Sequence, residues 1–291
     1  MSPPTNPTIV LVPGAWQPSS LYTPLITAFK NAGFPTFIVD LPSCEPQVDP
    51  QTTTVTIDAD AIRQVVLPLI EQEGKDVVLL CHSYGGVPLG PAAAGLSKST
   101  RGSNGGVVGL VYMCAAVVHE NASMLEAIGG EYFPYMIPNS VSNQSHFQSC
   151  ISFILEASIT SLSHLSPRLT QQSSQPGPHL ATIKNGRSIL FNDIDDTAAA
   201  TLVDGLVPHS TAAFESKVSA PAWAEDAYRG RLAYLRTTKD EAFPSHAQDH
   251  AMQSSGVGWA VSDLEAGHAP YASCPERVVE AVGRVIGGFG G

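Results

Sequence analysis

Positive charge is scarce in this sequence of 291 residues. Lysine and arginine together number 15, against 26 aspartates and glutamates, and the formal net charge is −11. No stretch rich in lysine or arginine offsets that balance. Because contacts with phosphates need clustered cations, the composition argues against unaided binding to DNA, RNA or an anionic membrane. We therefore expect the partner to be a small-molecule substrate.

Cysteine pairs are also absent. The chain has five cysteines, scattered along its length, and none forms a C-x-x-C pair. Such a set favours neither a zinc site nor a full disulfide framework. Cys81 and Cys114 stand in apolar runs, so we expect buried thiols that behave as small hydrophobic side chains. We predict no metal and no organic cofactor.

Long hydrophobic runs are missing too. The N-terminus has no basic segment followed by an apolar one, as a secretory signal would have. The longest apolar stretch further on, Val107–Val118, has 12 residues and is too short to span a bilayer. We therefore expect a cytoplasmic protein without a membrane span.

The sequence does contain enough apolar material for a sizeable core, since 43% of its residues are hydrophobic. Short β-branched runs alternate with helical patterns at both ends of the chain. The runs that predict strands are Thr8–Val12, Thr36–Asp40, Asp76–Cys81, Val107–Cys114, Arg231–Arg236 and Gly256–Ser262. The patterns that predict helices run from Ser19 or Ser20 to Ala32 and over Val55–Glu73, Tyr84–Leu96, Pro244–Gln253 and Pro275–Val285. Such alternation predicts an α/β fold with a doubly wound, mostly parallel sheet.

Residues 119–206 break this alternation. We interpret them as a cap inserted into one discontinuous core domain, which comprises residues 1–118 and 207–291. Within the cap, residues 143–175 are dense in serine and glutamine and poor in charge, without a sustained apolar period. We expect that stretch to be poorly ordered, because it offers little apolar surface to offset the entropy of ordering.

The strongest chemical signal is the pentapeptide His-Ser-Tyr-Gly-Gly at residues 82–86, directly after an apolar strand. A sharp turn between a strand and a helix holds its serine in a strained backbone conformation, and bulky neighbours would clash there. Small residues flank Ser83 on both sides, although Cys81 stands where the G-x-S-x-G pattern has glycine. The pattern predicts that Ser83 is a nucleophile.

A serine hydroxyl is a weak nucleophile without a base, so a histidine oriented by an acid should follow along the chain. His268 lies in a loop between the last predicted strand and the last helix, where a base can reach back to Ser83. Asp240 follows the preceding strand, and this serine–acid–histidine order is one of those known for such triads. Glu241 and Asp263 are the alternative acids.

Other histidines are less suited to be the base. His82 adjoins Ser83, but adjacent residues on a turn point in different directions. His119 follows a strand, and we expect it to line the pocket. His246 and His250 have the i, i+4 spacing of a metal pair, but without a carboxylate motif beside them we interpret them as part of a solvated helix face.

Acyl transfer also needs hydrogen-bond donors for the oxyanion that develops. The first is the backbone N–H of Tyr84, directly after the serine. We expect the second, the N–H of Ala15, from the loop after the first strand, where Gly14 permits a tight turn. Trp16 would add an apolar wall to the substrate-binding pocket.

Five segments carry a resemblance to a known family. They are IVLVPGAW from Ile9, HSYGG from His82, ILFNDIDDTAAATLVDGLVPHS from Ile189, YLRTTKDEAFP from Tyr234 and EAGHAPYASCPERV from Glu265. With them the chain resembles the α/β-hydrolase superfamily, and within it the branch of plant methyl esterases, hydroxynitrile lyases and related fungal and bacterial esterase-like proteins. The resemblance implies an α/β-hydrolase fold with an inserted cap and a site that needs no cofactor.

The resemblance also implies a role for each candidate residue. These are Ser83 as nucleophile, His268 as base, Asp240 as orienting acid, and Ala15 and Tyr84 as oxyanion donors. The chain departs from the family pattern at Pro13, which stands where a histidine is usual, at Cys81, which replaces a glycine, and in the composition of the cap. The first departure bears on the loop beside the oxyanion hole, and the last on the shape of the pocket.

The leading hypothesis is a serine hydrolase that cleaves a small, largely apolar carboxylic ester or lactone through an acyl-enzyme. A second is a cofactor-free, non-hydrolytic enzyme of the same fold that performs C–C cleavage, cyclisation or oxygenation of a specialised metabolite. Hydroxynitrile lyases of this branch carry lysine after the histidine and threonine in the first-strand loop; this chain has Ala269 and Gly14 there, which argues against cyanohydrin cleavage. A third is a receptor that binds a small molecule with slow or no turnover.

Overall fold

The computed structural model describes residues 6–45, 48–102, 105–139 and 177–289. The stretch 143–175, for which the sequence predicts poor order, lies outside these described residues. The account of the fold that follows refers to the described ranges.

Nine strands are found in the described part of the chain, and six of them form one sheet. The strands are β1 Thr8–Val12, β2 Thr36–Ile38, β3 Asp76–His82, β4 Gly106–Met113, β5 Met136–Asn139, β6 Leu180–Ile183, β7 His209–Ser210, β8 Leu232–Thr237 and β9 Ala260–Leu264. The large sheet has the order β2-β1-β3-β4-β8-β9, and all its neighbouring strands are parallel. The predicted doubly wound, mostly parallel α/β fold is confirmed.

Both faces of this sheet are buried, which explains why its strands read as continuous apolar runs. Successive side chains on a strand point to opposite faces. On β3, Val77 and Leu79 pack into one core cluster, whereas Val78 and Leu80 pack into the other. One apolar strand therefore supplies two cores, one on each side of the sheet.

Helices pack on both faces of the sheet and also occur in the segment between β4 and β8. Their bounds are α1 Thr23–Asn31, α2 Val55–Leu67, α3 Gly86–Ala93, α4 Lys98–Arg101, α5 Met124–Ala127, α6 Gly186–Leu190, α7 Asp196–Asp204, α8 Thr211–Glu215, α9 Ser245–Ser254, α10 Pro270–Ser273 and α11 Pro275–Gly287. Ile62 of α2 and Val87 of α3 belong to one core cluster, and Phe29 of α1 and Val282 of α11 belong to the other. Pro68, which lies inside the predicted helix Val55–Glu73, begins a π-helical turn that extends α2. No helix in the described ranges has the length and apolar character needed to cross a membrane.

The last strand of the sheet starts later than the sequence predicts. The strand expected over Gly256–Ser262 begins only at Ala260. Gly256 has a φ of 69°, which a continuous strand does not accommodate. The Trp259 indole N–H also donates to the Ser255 hydroxyl at 3.0 Å and closes a turn before β9.

Between β4 and β8 the chain forms a second, smaller sheet in which β5, β6 and β7 are antiparallel. This sheet lies where the sequence predicts an inserted cap. Its strand β7 stands just beyond the predicted end of the cap at residue 206. The division of the chain at residues 118/119 and 206/207 remains a prediction.

The strand order changes direction between β1 and β3. In open parallel sheets, ligands bind at such a switch point, outside the carboxyl ends of the strands. Val12 at the end of β1 pairs with Cys81 near the end of β3. The loop after β1 and the turn at Ser83 therefore start side by side, so the fold brings two of the predicted site segments together.

Gly86→Ala tests the close packing at the start of α3. A Cβ on Gly86 would lie 2.2 Å from the Ala116 carbonyl oxygen. We expect the variant to lose about 1–3 kcal/mol of unfolding free energy, the usual cost of overpacking a core. At Gly283, inside α11, a Cβ has open space, and Gly283→Ala should gain roughly 0.5–1 kcal/mol from helix propensity. Chemical denaturation measures both changes, and equal effects at the two glycines would contradict the packing described.

Candidate active site

The turn after β3 has the strained geometry that the sequence predicts. Ser83 has a φ of 53°, in the left-handed region that residues with a side chain rarely adopt. The chain after it comes unusually close to the loop after β1, because a Cβ on Gly85 would lie 2.5 Å from the Pro13 carbonyl oxygen. Glycine at this position therefore lets the turn pack directly against that loop.

Ser83, His268 and Asp240 form a continuous series of hydrogen bonds. The Ser83 Oγ lies 2.9 Å from His268 Nε2, and His268 Nδ1 lies 2.8 Å from an Asp240 carboxylate oxygen. Because a carboxylate only accepts, Nδ1 carries the proton, and Nε2 is left to accept the serine hydroxyl. His268 is 2% exposed and Asp240 is 5% exposed, so water competes little with this contact. The fold thus brings together three side chains that lie far apart in the sequence.

Asp240 is held in place by its own loop. The oxygen that faces His268 also accepts the Thr237 hydroxyl at 2.8 Å. The other oxygen accepts the backbone N–H groups of Ala242 at 2.9 Å and Phe243 at 2.7 Å. These bonds use both carboxylate oxygens and fix the plane of the carboxylate opposite the imidazole.

Neither alternative acid reaches the base. Asp263 on β9 accepts two hydrogen bonds from the Arg236 guanidinium, at 2.9 and 2.8 Å. The guanidinium also lowers the pKa of that carboxyl below its usual value. Glu241 is exposed to solvent. Of the three candidate acids, the structure places Asp240 against His268.

His82 links two loops beneath the site. Its Nε2 lies 2.7 Å from the His268 carbonyl oxygen, and its Nδ1 lies 2.7 Å from the Tyr22 hydroxyl. That hydroxyl also accepts the N–H of Gly14 at 2.8 Å. Since a carbonyl can only accept, Nε2 carries the proton and Nδ1 accepts the Tyr22 O–H. One buried chain of hydrogen bonds therefore runs from the loop after β1 to the backbone of the base.

Burial keeps His82 neutral. Loss of hydration lowers the pKa of its imidazole well below the ordinary value, and repulsion from His268 lowers it further. The neutral ring is the form that the hydrogen-bond chain requires, because a protonated His82 could not accept the Tyr22 hydroxyl. His82 thus makes its hydrogen bonds to Tyr22 and to the backbone of His268, and it serves the framework of the site.

The two expected oxyanion donors both line the cavity beside Ser83. Tyr84 lies in the first helical turn after β3, so its backbone N–H has no acceptor within the helix. In the loop after β1, the N–H of Gly14 is occupied by Tyr22. Ala15 is the next residue of that loop, and it is buried at the cavity wall.

Trp16, predicted to be an apolar wall, lines the same cavity. Its φ of 63° is strained for a residue with a side chain. Its indole N–H donates to the Ala181 carbonyl on β6 at 3.0 Å, and its own carbonyl accepts the N–H of Val207 at 2.9 Å. The smaller sheet and the segment after α7 therefore hold the strained loop in place.

A second buried contact, for which the sequence holds no signal, anchors Tyr84. Its hydroxyl donates to the Asp58 carboxylate on α2 at 2.7 Å, and the other oxygen accepts the N–H of Ser43 at 3.0 Å. Burial raises the pKa of Asp58, and the hydrogen bonds from Ser43 and Tyr84 oppose that rise. The residue that follows the candidate nucleophile is thereby tied to a helix of the core.

A largely apolar cavity of about 410 Å³ adjoins Ser83 and His268. His119 lines it, as predicted, and so does His250, which is exposed like its helix neighbour His246. Much of the remaining wall is aromatic or aliphatic. Examples are Trp16, Met124, Phe133, Met136, Leu190 and Phe243. The cavity can therefore receive an apolar molecule of modest size with its reacting group at the serine.

Cys81 and Cys114 are fully buried, as predicted, and burial raises the pKa of both thiols well above the ordinary value. Among the described residues, the thiol of Cys114 and the rings of His82 and His268 form a close group, with ligand atoms within 4.8 Å of one another. All the ring nitrogens of this group already have protein hydrogen-bond partners. The hydrogen bonds that hold the site together therefore explain why these three side chains lie close to one another.

The family model that matches this chain is that of the alpha/beta hydrolases, and the match spans residues 9–281. The chain belongs to the alpha/beta hydrolase family. The family expected from the sequence motifs is thereby confirmed.

Two fungal relatives of this alpha/beta hydrolase align over almost the whole chain. "Probable hydrolase R7" of Phoma sp. is 24% identical over 97% of this chain and 99% of its own length, and "Alpha/beta hydrolase nvfD" of Aspergillus novofumigatus is 26% identical over 97% of both.

Solved structures with the same fold include three esterases or hydrolases. A methylesterase from Arabidopsis has a TM-score of 0.64 and 18% identity over 96% of this alpha/beta hydrolase and 98% of its own chain. Polyneuridine aldehyde esterase has a TM-score of 0.64 and 19% identity over 96% of this chain and 99% of its own. A pyrethroid hydrolase from Sphingobium faniae JZ-2 has a TM-score of 0.64 and 18% identity over 97% of this chain and 98% of its own. At these identities the likeness establishes the shared fold.

Tyr22→Phe tests the hydrogen-bond chain beneath the site. The change removes one oxygen atom and leaves two buried groups without partners, the N–H of Gly14 and the Nδ1 of His82. We expect a loss of at least ~2 kcal/mol of unfolding free energy, since each orphaned buried group costs about 1–3 kcal/mol. Chemical denaturation measures the loss. Tyr132→Phe is the matched control, because that hydroxyl makes a solvent-exposed contact with Glu215; equal losses in both variants would contradict the proposed buried chain.

Proposed function

We propose that this alpha/beta hydrolase is a serine hydrolase that cleaves a small, largely apolar carboxylic ester or lactone. The observation that carries the proposal is the hydrogen-bond series from Ser83 through His268 to Asp240, at 2.9 and 2.8 Å, at the wall of an apolar cavity. This is the arrangement in which a serine is activated by a base that a carboxylate orients. Ser83 is thus proposed as nucleophile, His268 as base and Asp240 as orienting acid.

In the first half of the reaction, the Nε2 of His268 takes the hydroxyl proton as the Oγ of Ser83 attacks the ester carbonyl carbon. The negative charge moves to the carbonyl oxygen, where the N–H groups of Ala15 and Tyr84 stabilise it. The Asp240 carboxylate stabilises the imidazolium. The imidazolium then gives its proton to the departing alkoxide, and the acyl group stays on the serine oxygen.

In the second half, His268 takes a proton from water, and the resulting hydroxide attacks the acyl carbon. The tetrahedral intermediate collapses, the bond to the Ser83 oxygen breaks, and the proton on His268 returns to that oxygen. The carboxylic acid leaves and the free enzyme is restored. The steps use only side chains and backbone N–H groups of this chain, together with water.

The substrate class rests on the wall of the cavity. Trp16, Phe133 and Phe243 present aromatic surface, and Met124 and Met136 present aliphatic surface that adapts to shape. Burial of apolar groups there contributes binding energy in proportion to the area removed from water. The names of the methylesterase, the aldehyde esterase and the pyrethroid hydrolase support an ester as the class of substrate. A cytoplasmic role in specialised metabolism remains a prediction from the sequence.

Cyanohydrin cleavage fits the site poorly. A Cβ on Gly14 would lie 2.9 Å from His82 Nδ1 and 3.0 Å from the Ser83 Cβ, so the threonine expected of such lyases has no room. Ala269 stands where those lyases carry lysine, and it is fully buried. Ester hydrolysis is therefore the function that we propose. The two other hypotheses, a different non-hydrolytic enzyme and a small-molecule receptor, become outcomes of the labelling experiment below.

Ser83→Ala should abolish covalent labelling by a fluorophosphonate and lower turnover of p-nitrophenyl esters by roughly 10⁴-fold or more, because only binding and oxyanion stabilisation remain. Ser20→Ala, at an exposed serine, is the control and should label fully. Labelling of the wild type without turnover of any ester would favour a non-hydrolytic enzyme or a receptor. Near-wild-type turnover by Ser83→Ala would rule out the acyl-enzyme.

Asp240→Asn keeps the size of the acid and removes its charge. By the precedent of such triads we expect a loss in turnover of up to ~10⁴-fold, because the imidazolium loses its counter-ion. Asp263→Asn is the matched control: its ion pair with Arg236 lies at the surface, and such pairs contribute only about 0–1 kcal/mol. Steady-state kinetics compares the two. Greater damage from Asp263→Asn would show that the acid is assigned to the wrong residue.

A further inference from the structure

The segment ILFNDIDDTAAATLVDGLVPHS, one of those on which the family resemblance rests, has a part that the proposed mechanism does not use. Its residues 191–194, called the clamp turn here, lie between α6 and α7. The N–H of Ile194 donates to the Phe191 carbonyl at 3.2 Å, and both side chains are buried in the core. The Arg187 guanidinium donates to the carbonyls of both residues. The clamp turn is therefore fixed at its two ends.

The two middle residues of the clamp turn each hold one loop of the candidate site. The Asn192 amide donates to the Lys239 carbonyl at 2.8 Å. The Asp193 carboxylate accepts the N–H of Gly267 at 2.7 Å. Lys239 directly precedes Asp240, and Gly267 directly precedes His268. One dipeptide thus binds the backbone immediately before both the acid and the base.

The absence of a side chain at Gly267 is what permits this contact. A Cβ there would lie 2.1 Å from the Asn192 Oδ1 and 2.7 Å from an Asp193 carboxylate oxygen. The φ of Gly267 is not in the left-handed region, so its backbone conformation does not demand glycine. Glycine is needed at this position because the clamp turn occupies the space that a side chain would fill.

We propose that Asn192 and Asp193 are positioning residues that set the geometry between Asp240 and His268. The inference rests on the proposed function of the site. The two loops are also joined directly, by the N–H of Lys239 and the carbonyl of Ala266 at 3.0 Å. That bond keeps them adjacent, and the clamp turn adds a second, side-chain contact on each loop that sets their orientation.

The clamp turn also connects the site to the cavity wall. Leu190, two residues before Asn192, lines the cavity. A substrate that packs against Leu190 therefore contacts the residue directly before the clamp turn. Asp193 is exposed and Asn192 is half-buried, but Gly267 is buried, so loss of the Asp193 carboxylate leaves a buried N–H unpaired and also lowers the stability of the fold. The labelling rate and the split between kcat and KM in the folded fraction therefore distinguish a positioning role from a merely structural one.

The experiment compares Asn192→Ala, Asp193→Ala and Asp193→Asn, with Asp204→Ala as the control. Asp204 is exposed at the end of α7, in the same segment of the chain. We measure the rate constant of fluorophosphonate labelling, and kcat and KM for a p-nitrophenyl ester. Circular dichroism and thermal melting report on the fold, and the stoichiometry of labelling gives the active fraction.

We expect both alanine variants to lower kcat and the labelling rate about 10- to 100-fold, the effect of a small misplacement of reacting groups. KM should change by less than about 3-fold, because the cavity wall is intact. Asp193→Asn retains an oxygen that can accept the Gly267 N–H, and it should recover most of the rate.

Asp204→Ala should react like the wild type. If Asn192→Ala does not fold, Asn192→Asp carries the same test, because it keeps the size but turns an acceptor toward the Lys239 carbonyl. Wild-type labelling rates and kcat values in the folded fraction of the variants would overturn this inference alone. Absence of labelling in the wild-type protein would overturn the proposed function, and this inference with it.

Discussion

The candidate site depends on how closely the turn after β3 approaches the loop after β1. A Cβ at Gly85 would lie 2.5 Å from the Pro13 carbonyl oxygen, so the contact exists only because that position has no side chain. The left-handed backbone of Ser83 then turns its hydroxyl out of the strand and into the cavity. The proposed stabilisation of one oxygen atom by the N–H groups of Ala15 and Tyr84 depends on this close approach. A steric limit thus sets the geometry within which any electrostatic stabilisation operates.

The loops that meet at this point are held by buried polar groups that take no part in the proposed chemistry. Tyr22 and His82 connect the loop after β1 to the backbone of His268, and Asp58 holds the hydroxyl of Tyr84. Because breaking one of these bonds would leave a buried polar group unsatisfied, at about 1–3 kcal/mol each, they favour a single arrangement of the loops. Catalysis by fixed donors requires such an arrangement before the substrate arrives, since donors that had to reorient would lose much of their advantage.

The fold class and the members of the hydrogen-bond series could be predicted because each depends on a local pattern. An apolar run before His-Ser-Tyr-Gly-Gly marks the turn. Chain order after the predicted strands indicates His268 as the base and Asp240 as the acid, with Glu241 and Asp263 as the alternative acids. The supporting partners could not be predicted, because their contacts are set by tertiary structure: Tyr22 and His82 lie 60 residues apart in the sequence, and Asn192 and Lys239 lie 47 apart. The start of β9 differs from the prediction for a local reason: the left-handed backbone of Gly256 and the hydrogen bond from Trp259 to Ser255 form a turn before the strand.

Cys81 departs from the G-x-S-x-G pattern, and its surroundings show on which side of Ser83 a small residue is required. Cys81 lies within β3, where its thiol is fully buried and its Sγ is 3.6 Å from the Val111 carbonyl on β4. Its side chain belongs to a core cluster of the sheet, whereas Gly85 faces the backbone of the loop after β1. Before the serine, a side chain needs only to fit the core, and a small thiol does so. After the serine, the space is filled by backbone, which cannot adjust as a side chain can. The first glycine of the G-x-S-x-G pattern is therefore replaceable in this chain, and the second is not.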